Sequence, residues 1–158
     1  MKLSSLFSQI LKENVPQAAA RISGSPAYPR LRGMVRFFRT PLGGILIEAE
    51  VTGLPCSSGA CFYGMHIHEN GDCTPPFDKT GMHYNPGKKP HPQHAGDLLP
   101  LFGSGGTAWS AFYDGQLTVR ELIGRSVVIH AKRDDFTFQP AGDSGEKIGC
   151  GTIIRIRK

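Results

Sequence analysis

The sequence predicts an all-β domain, a sandwich or Greek-key barrel, on three observations. The 158 residues include 20 glycines and 12 prolines, and the segments between them are short and rich in β-branched side chains, as strands are. Apolar side chains alternate along several of those segments with a period of two, leaving one face for a core. No strand–helix–strand rhythm runs through the chain, so a parallel sheet is not expected. A single domain of this length buries a continuous core without a metal or a disulfide simply to fold.

Taken in order, the chain begins with MKLSSLFSQILKENVPQAAA. Leu3, Leu6, Phe7, Ile10 and Leu11 fall at i, i+3, i+4, i+7 and i+8, the stripe of an amphipathic helix. Ser and Gln interrupt the apolar run and Lys12 and Glu13 follow it, so it is not a convincing signal peptide, although residues 18–20 imitate a cleavage site. Residues 1–20 are expected to form an N-terminal amphipathic helix or tail that docks on the body, and residues 21–158 the domain itself. No run is long enough to cross a membrane.

Runs 32–40 and 43–51 flank Pro41-Leu42-Gly43-Gly44, a hairpin signal. In the second run Ile45, Ile47, Ala49 and Val51 alternate with Leu46, Glu48 and Glu50. Further strands are expected over 62–69, 106–113, 126–131 and 149–157, the last with Ile154 and Ile156 interleaved with Arg155 and Arg157. Thr118 and Glu121 have capping-box spacing, and Gly124 ends the turn of helix they begin. From 71 to 100 the strand pattern vanishes for about thirty residues, a length that marks a functional loop.

The formal net charge is +5, which suits an anionic partner. Lysine and arginine are spread along the chain, and no zinc finger of the DNA-reading type, helix-turn-helix or aromatic RNA-binding motif is present, so a nucleic-acid partner is not expected.

The chain has six histidines. In GMHIHENGDC, His66 and His68 stand two apart, and on a strand such neighbours point the same way. In HYNPGKKPHPQHAGD, His83, His91, His94 and Asp97 make a chemically complete tetrahedral zinc set. His66, His68 and His130, with His83 from the loop, form a second, imidazole-rich set that suits copper or zinc rather than magnesium or calcium. His83 serves in both because its ring has two nitrogens.

The pieces GMHIHENGDC, GMHYNP, HAGDL, GRSVVIHAKRDD and AGDSGEKIGCGTI occur in an order that resembles the copper/zinc superoxide dismutases of bacterial type, over residues 32–156. The resemblance implies an eight-stranded Greek-key β-barrel, related to the immunoglobulin-like sandwich, with a long metal-binding loop. It implies copper held by His66, His68, His83 and His130, zinc held by His83, His91, His94 and Asp97, and Asp134 as the carboxylate linking histidines of the two metals. It also implies a disulfide between Cys73 and Cys150. The implied reaction is disproportionation of superoxide anion to oxygen and hydrogen peroxide, with His83 serving in proton delivery. The family's substrate-steering arginine lies three residues before the second disulfide cysteine; here that residue is Lys147, which keeps the charge but not the planar fork.

Cys56 and Cys61, in LPCSSGACF, lie outside those motifs and are expected to form a local second bridge, two free thiols being the alternative. Bridges favour an oxidising compartment, whereas the unconvincing signal leaves the cytoplasm open. The oligomeric state is expected to be monomer or homodimer. A non-catalytic copper- or zinc-binding relative is the competing reading of function.

Overall fold

In the computed structural model, which describes residues 1–157, nine strands and two short α-helices are arranged about a main apolar core, with the first helix packed on the outside of the strands. The helix α1 spans Leu3–Glu13, followed by β1 (Ala18–Gly24), β2 (Arg32–Arg39) and β3 (Ile45–Thr52). Next come β4 (Ala60–Tyr63), β5 (Met65–His68), β6 (Leu101–Ser104) and β7 (Ala108–Asp114). The one-turn helix α2 (Val119–Leu122) precedes β8 (Ser126–His130) and β9 (Lys147–Arg155). A curled seven-stranded sheet has the order β5-β8-β9-β1-β2-β3-β7, and β4 pairs with β6 beside it. Every pairing is antiparallel.

The run expected over 62–69 is divided at Gly64: its first part joins β6 and its second part joins β8. One strand therefore contributes to two sheets, which is how eight strands become nine segments. The β2–β3 hairpin closes through Gly43 and Gly44, whose φ angles of 78° and 67° favour glycine at both turn positions. Inward-facing Val35, Phe37, Ile45, Ile47 and Val51 pack with Ile22, Leu122 and Ile129 in the core.

Two strands were not visible in the sequence. β1 begins at Ala18, within the segment read as helix or tail, and lies between β2 and β9 with Ala18, Ala20 and Ile22 wholly buried. Its small inward side chains hide the strand signal that β-branched residues give. β6 is four residues long and follows directly on the loop. In β9 the apolar face is not the expected one, because Ile154 is exposed while Ile153 is buried. Gly149 pairs with Gly24 and Gly151 with Val127, and both alternate onto the same face as Ile153, so two of the inward positions carry no side chain. A Cβ on Gly149 would lie 2.7 Å from Leu31.

The helix α1 docks as expected. Leu6 and Ile10 cover Phe38 and Leu46, which point outward from β2 and β3, and Phe7 stacks on Tyr113 with ring centroids 5.5 Å apart. Leu46 is the apolar residue that breaks the alternation of β3, and the helix is what buries it. Among the described residues no helix is long and apolar enough to cross a membrane. Truncating Ile10 to alanine is expected to cost about 2 kcal/mol in urea unfolding and to speed amide exchange across α1, with metal content unchanged.

Candidate metal centre

The four residues of β5 divide their side chains between two environments. Met65 and Ile67 point into the core, so His66 and His68 project from the outer wall of the barrel. On the neighbouring strand Val127 and Ile129 face the core, and His130 shares the outer side with the other two rings. All three are buried because the segment after β5 folds back over them.

That segment is held by the free edge of β5. Ile67 donates its N–H to Gly96 O at 2.8 Å and accepts from Tyr84 N–H at 2.7 Å, while Glu69 N–H donates to Met82 O at 3.0 Å. These bonds bring His83 opposite His68 and Asp97 opposite His66 as isolated bridges. Gly96 is required at this approach, since a Cβ there would lie 2.3 Å from Ile67 O. On the far side of the loop Cys73 is bonded to Cys150 on the outer face of β9, packed with Phe77 and Val128. Cys56 and Cys61 are also bonded, and no cysteine is free among the described residues.

The six histidines and Asp97 converge into two sets that share one ring. His66, His68, His83 and His130 form one, and His83, His91, His94 and Asp97 the other; within each, one donor atom per residue lies within 4.8 Å of the rest. The outer nitrogen of most rings is tied to an acceptor. His66 Nε2 donates to Asp134 Oδ2 at 2.7 Å, His68 Nδ1 to Gly81 O at 2.9 Å, His130 Nδ1 to Gly145 O at 3.3 Å and His91 Nε2 to Asp134 Oδ1 at 2.7 Å. Their inner nitrogens are therefore lone-pair donors aimed at common points.

His83 differs. Its Nδ1 faces Asp97 Oδ1 at 2.8 Å and His94 Nδ1 at 3.3 Å, while its Nε2 faces the other set. His66 Nδ1, His83 Nε2 and His91 Nδ1 are buried without a hydrogen-bond partner, although His91 Nδ1 lies 3.0 Å from Asp97 Oδ2. His68 Nε2 and His130 Nε2 confront one another at 3.4 Å. Buried polar atoms are seldom left unpaired, and two cations, one in each set, satisfy all of them at once. The imidazole-only set fits copper, and the set with three imidazoles and a carboxylate fits zinc.

Burial favours the neutral form of four of these rings. Desolvation pushes the His68 imidazole down to about 2 and that of His130 down to about 3, with His66 and His94 lowered for the same reason. Burial would raise the Asp134 and Asp97 carboxyls, but hydrogen bonds from His66 and His91, and from His83, outweigh it and hold both below the usual carboxylate range.

Lys147 stands opposite His130 in the β8–β9 pairing, where the register shifts by one residue. The extra residue, Ile148, packs into the core, and the bulge leaves Lys147 on the side of the rings. Its Nζ donates to Thr80 Oγ1 at 2.9 Å, Gly81 O at 3.3 Å and Phe77 O at 3.4 Å. Thr80, and the carbonyls of Gly81 and Gly145 that orient His68 and His130, were not visible as functional in the sequence. A carbonyl is common to every residue, and Thr80 lies in a 3₁₀ turn, Asp78–Thr80, with no motif around it.

The model of the family described as copper/zinc superoxide dismutase (SODC) matches residues 31–153. The chain is 33% identical over 138 residues to superoxide dismutase (Cu-Zn) A of Xenopus laevis, covering 78% of this chain and 89% of that one. It is 34% identical over 151 residues to the copper chaperone for superoxide dismutase of Homo sapiens, covering 87% of this chain and 53% of that one. Among solved structures, a SOD-like protein from Bacillus subtilis superposes with a TM-score of 0.74 at 26% identity, covering 84% of this chain and 95% of that one.

Asp134→Asn, which removes the charge between His66 and His91, is expected to lower zinc affinity by about 10- to 100-fold in competition with a chelator. The metal-free protein is expected to lose thermal stability as pH falls. Below about pH 6.5 the unfolded chain binds protons that the buried histidines refuse, and below about pH 4 the lowered carboxyls of Asp97 and Asp134 add to the loss. Melting temperatures between pH 8 and pH 4, taken after metal removal, check the sign.

Proposed function

The chain belongs to the copper/zinc superoxide dismutase family, and we propose that it is a catalytically active member that disproportionates superoxide. The observation that carries this reading is the complete four-imidazole set, His66, His68, His83 and His130, with one nitrogen of each within 4.8 Å of the others. Two superoxide anions and two protons give one oxygen and one hydrogen peroxide. Copper, when bound, supplies the one-electron couple that both halves of this exchange need, whereas zinc has no accessible redox step.

The protein's part is to hold, orient and deliver. His66, His68 and His130 keep fixed orientations because Asp134, Gly81 and Gly145 accept from their outer nitrogens. His83 spans both sets, and its Nε2 is the nitrogen suited to take up a proton and pass it to the product while Nδ1 stays with Asp97 and His94. His91, His94 and Asp97 keep that ring in place. Lys147 supplies positive potential beside the rings, which raises the encounter rate of a small anion. All three of its N–H groups meet protein oxygens, so it acts through its field more than through directed bonds to substrate. The two disulfides leave an exported location open.

The likeness to a copper chaperone makes copper holding without turnover the outcome to separate. Protein reconstituted with copper and zinc is expected to consume superoxide well above the same concentration of free copper, and His130→Ala to abolish this. Fully loaded protein with no activity above free copper overturns the reading. Lys147→Arg is expected to raise the rate by about two- to tenfold at matched copper content. Burial lowers the Lys147 ammonium, against the opposing charge of Asp78, so the lysine loses its charge early as pH rises. The unsubstituted enzyme is therefore expected to slow on the alkaline side, where Lys147→Arg keeps its rate.

A further inference from the structure

We propose that Thr80 is a positioning residue for Lys147: its buried hydroxyl fixes the ammonium beside His68 and so sets how tightly the metal site takes up small anions. The inference rests on the reading of Lys147 as the cation that draws the substrate. Thr80 is fully buried, yet its side chain lies among polar atoms. Its hydroxyl donates to Phe77 O at 2.7 Å, which fixes the hydrogen and leaves the oxygen lone pairs free to accept. Lys147 Nζ takes up that acceptor at 2.9 Å.

The three oxygens around the ammonium are not equivalent. Phe77 O already receives both the N–H and the O–H of Thr80, and it is 3.4 Å from Nζ. Gly81 O already receives His68 Nδ1 and is 3.3 Å from Nζ. Thr80 Oγ1 makes the shortest contact with Nζ; its only other neighbouring donor among the described residues, His68 Nδ1, is farther at 3.5 Å and already donates to Gly81 O at 2.9 Å. The hydroxyl is thus the principal anchor, and the shared Gly81 carbonyl ties the anchored lysine to the ring that holds the metal. Without the hydroxyl, one N–H of a half-buried ammonium has no partner, and a four-carbon stem is free to swing toward solvent.

The test is azide titration of the copper- and zinc-loaded protein, followed by the azide-to-copper charge-transfer absorption. Thr80→Val keeps the branched shape and removes only the hydroxyl; it is expected to weaken azide binding by about three- to tenfold. Thr80→Ser is expected to bind azide as the unsubstituted protein does. Thr80→Ala, measured in parallel, is expected to reproduce the loss should the valine variant fail to load. In a Lys147→Met background Thr80→Val is expected to have no further effect. Unchanged azide affinity in both the valine and alanine variants overturns the inference, as does an equal loss without Lys147. Azide binding needs no turnover. Protein that binds azide in a Thr80-dependent way but does not consume superoxide refutes the proposed activity and supports this inference.

Discussion

The hydrogen bonds that complete the free edge of β5 are the interaction on which the metal centre depends. β5 has β8 on one side only, and an open edge would leave its N–H and C=O groups unpaired. The loop supplies Tyr84 and Gly96 to Ile67 and Met82 to Glu69. Pairing at that edge sets the positions of His83 and Asp97, because the backbone of the residues next to them, Met82, Tyr84 and Gly96, is already fixed. The Cys73–Cys150 bond, closing 77 positions, restrains the same loop from the β9 side and is worth roughly 4 kcal/mol on a chain-entropy argument. One restraint acts through the backbone and the other through a covalent bond, and the histidines lie between them.

Electrostatics give the enclosure its second function. Six imidazoles packed this closely cannot all be charged, and burial holds four of them well toward the neutral form. Neutral rings offer lone pairs, which is what a cation needs. Asp134 and Asp97 keep their negative charge through hydrogen bonds from the rings themselves, so the centre carries two fixed anionic groups to balance incoming metal charge. Lys147 brings the opposite sign to the same wall, its ammonium held by Thr80 beside His68.

Side-chain chemistry was legible in the sequence where a residue type is rare and its spacing meaningful. The histidines and Asp97 stood out for that reason, as did the amphipathic stripe of α1 and the alternation of β3, whereas Asp134 was marked only by the family resemblance. Residues that act through their backbone or their smallness did not stand out. β1 is lined by alanine, the inner face of β9 by glycine, and His68 and His130 are oriented by carbonyls that belong to glycines. Thr80 is an ordinary residue type in an irregular segment, and only three-dimensional proximity connects it to a lysine 67 positions away. The division of the 62–69 run at Gly64 also depends on two partner strands distant in sequence, neither of which is signalled locally.

The four residues of β5 answer to two independent selection pressures. Met65 and Ile67 must satisfy volume and shape, demands that several hydrophobic residues meet. His66 and His68, on the reverse side, must satisfy ligation, which tolerates almost no exchange. At β5, therefore, the core-facing side accepts exchanges that conserve volume while the reverse side does not. A chain built this way can exchange Met65 and Ile67 for side chains of similar volume and keep both imidazoles in place on the other side of the strand.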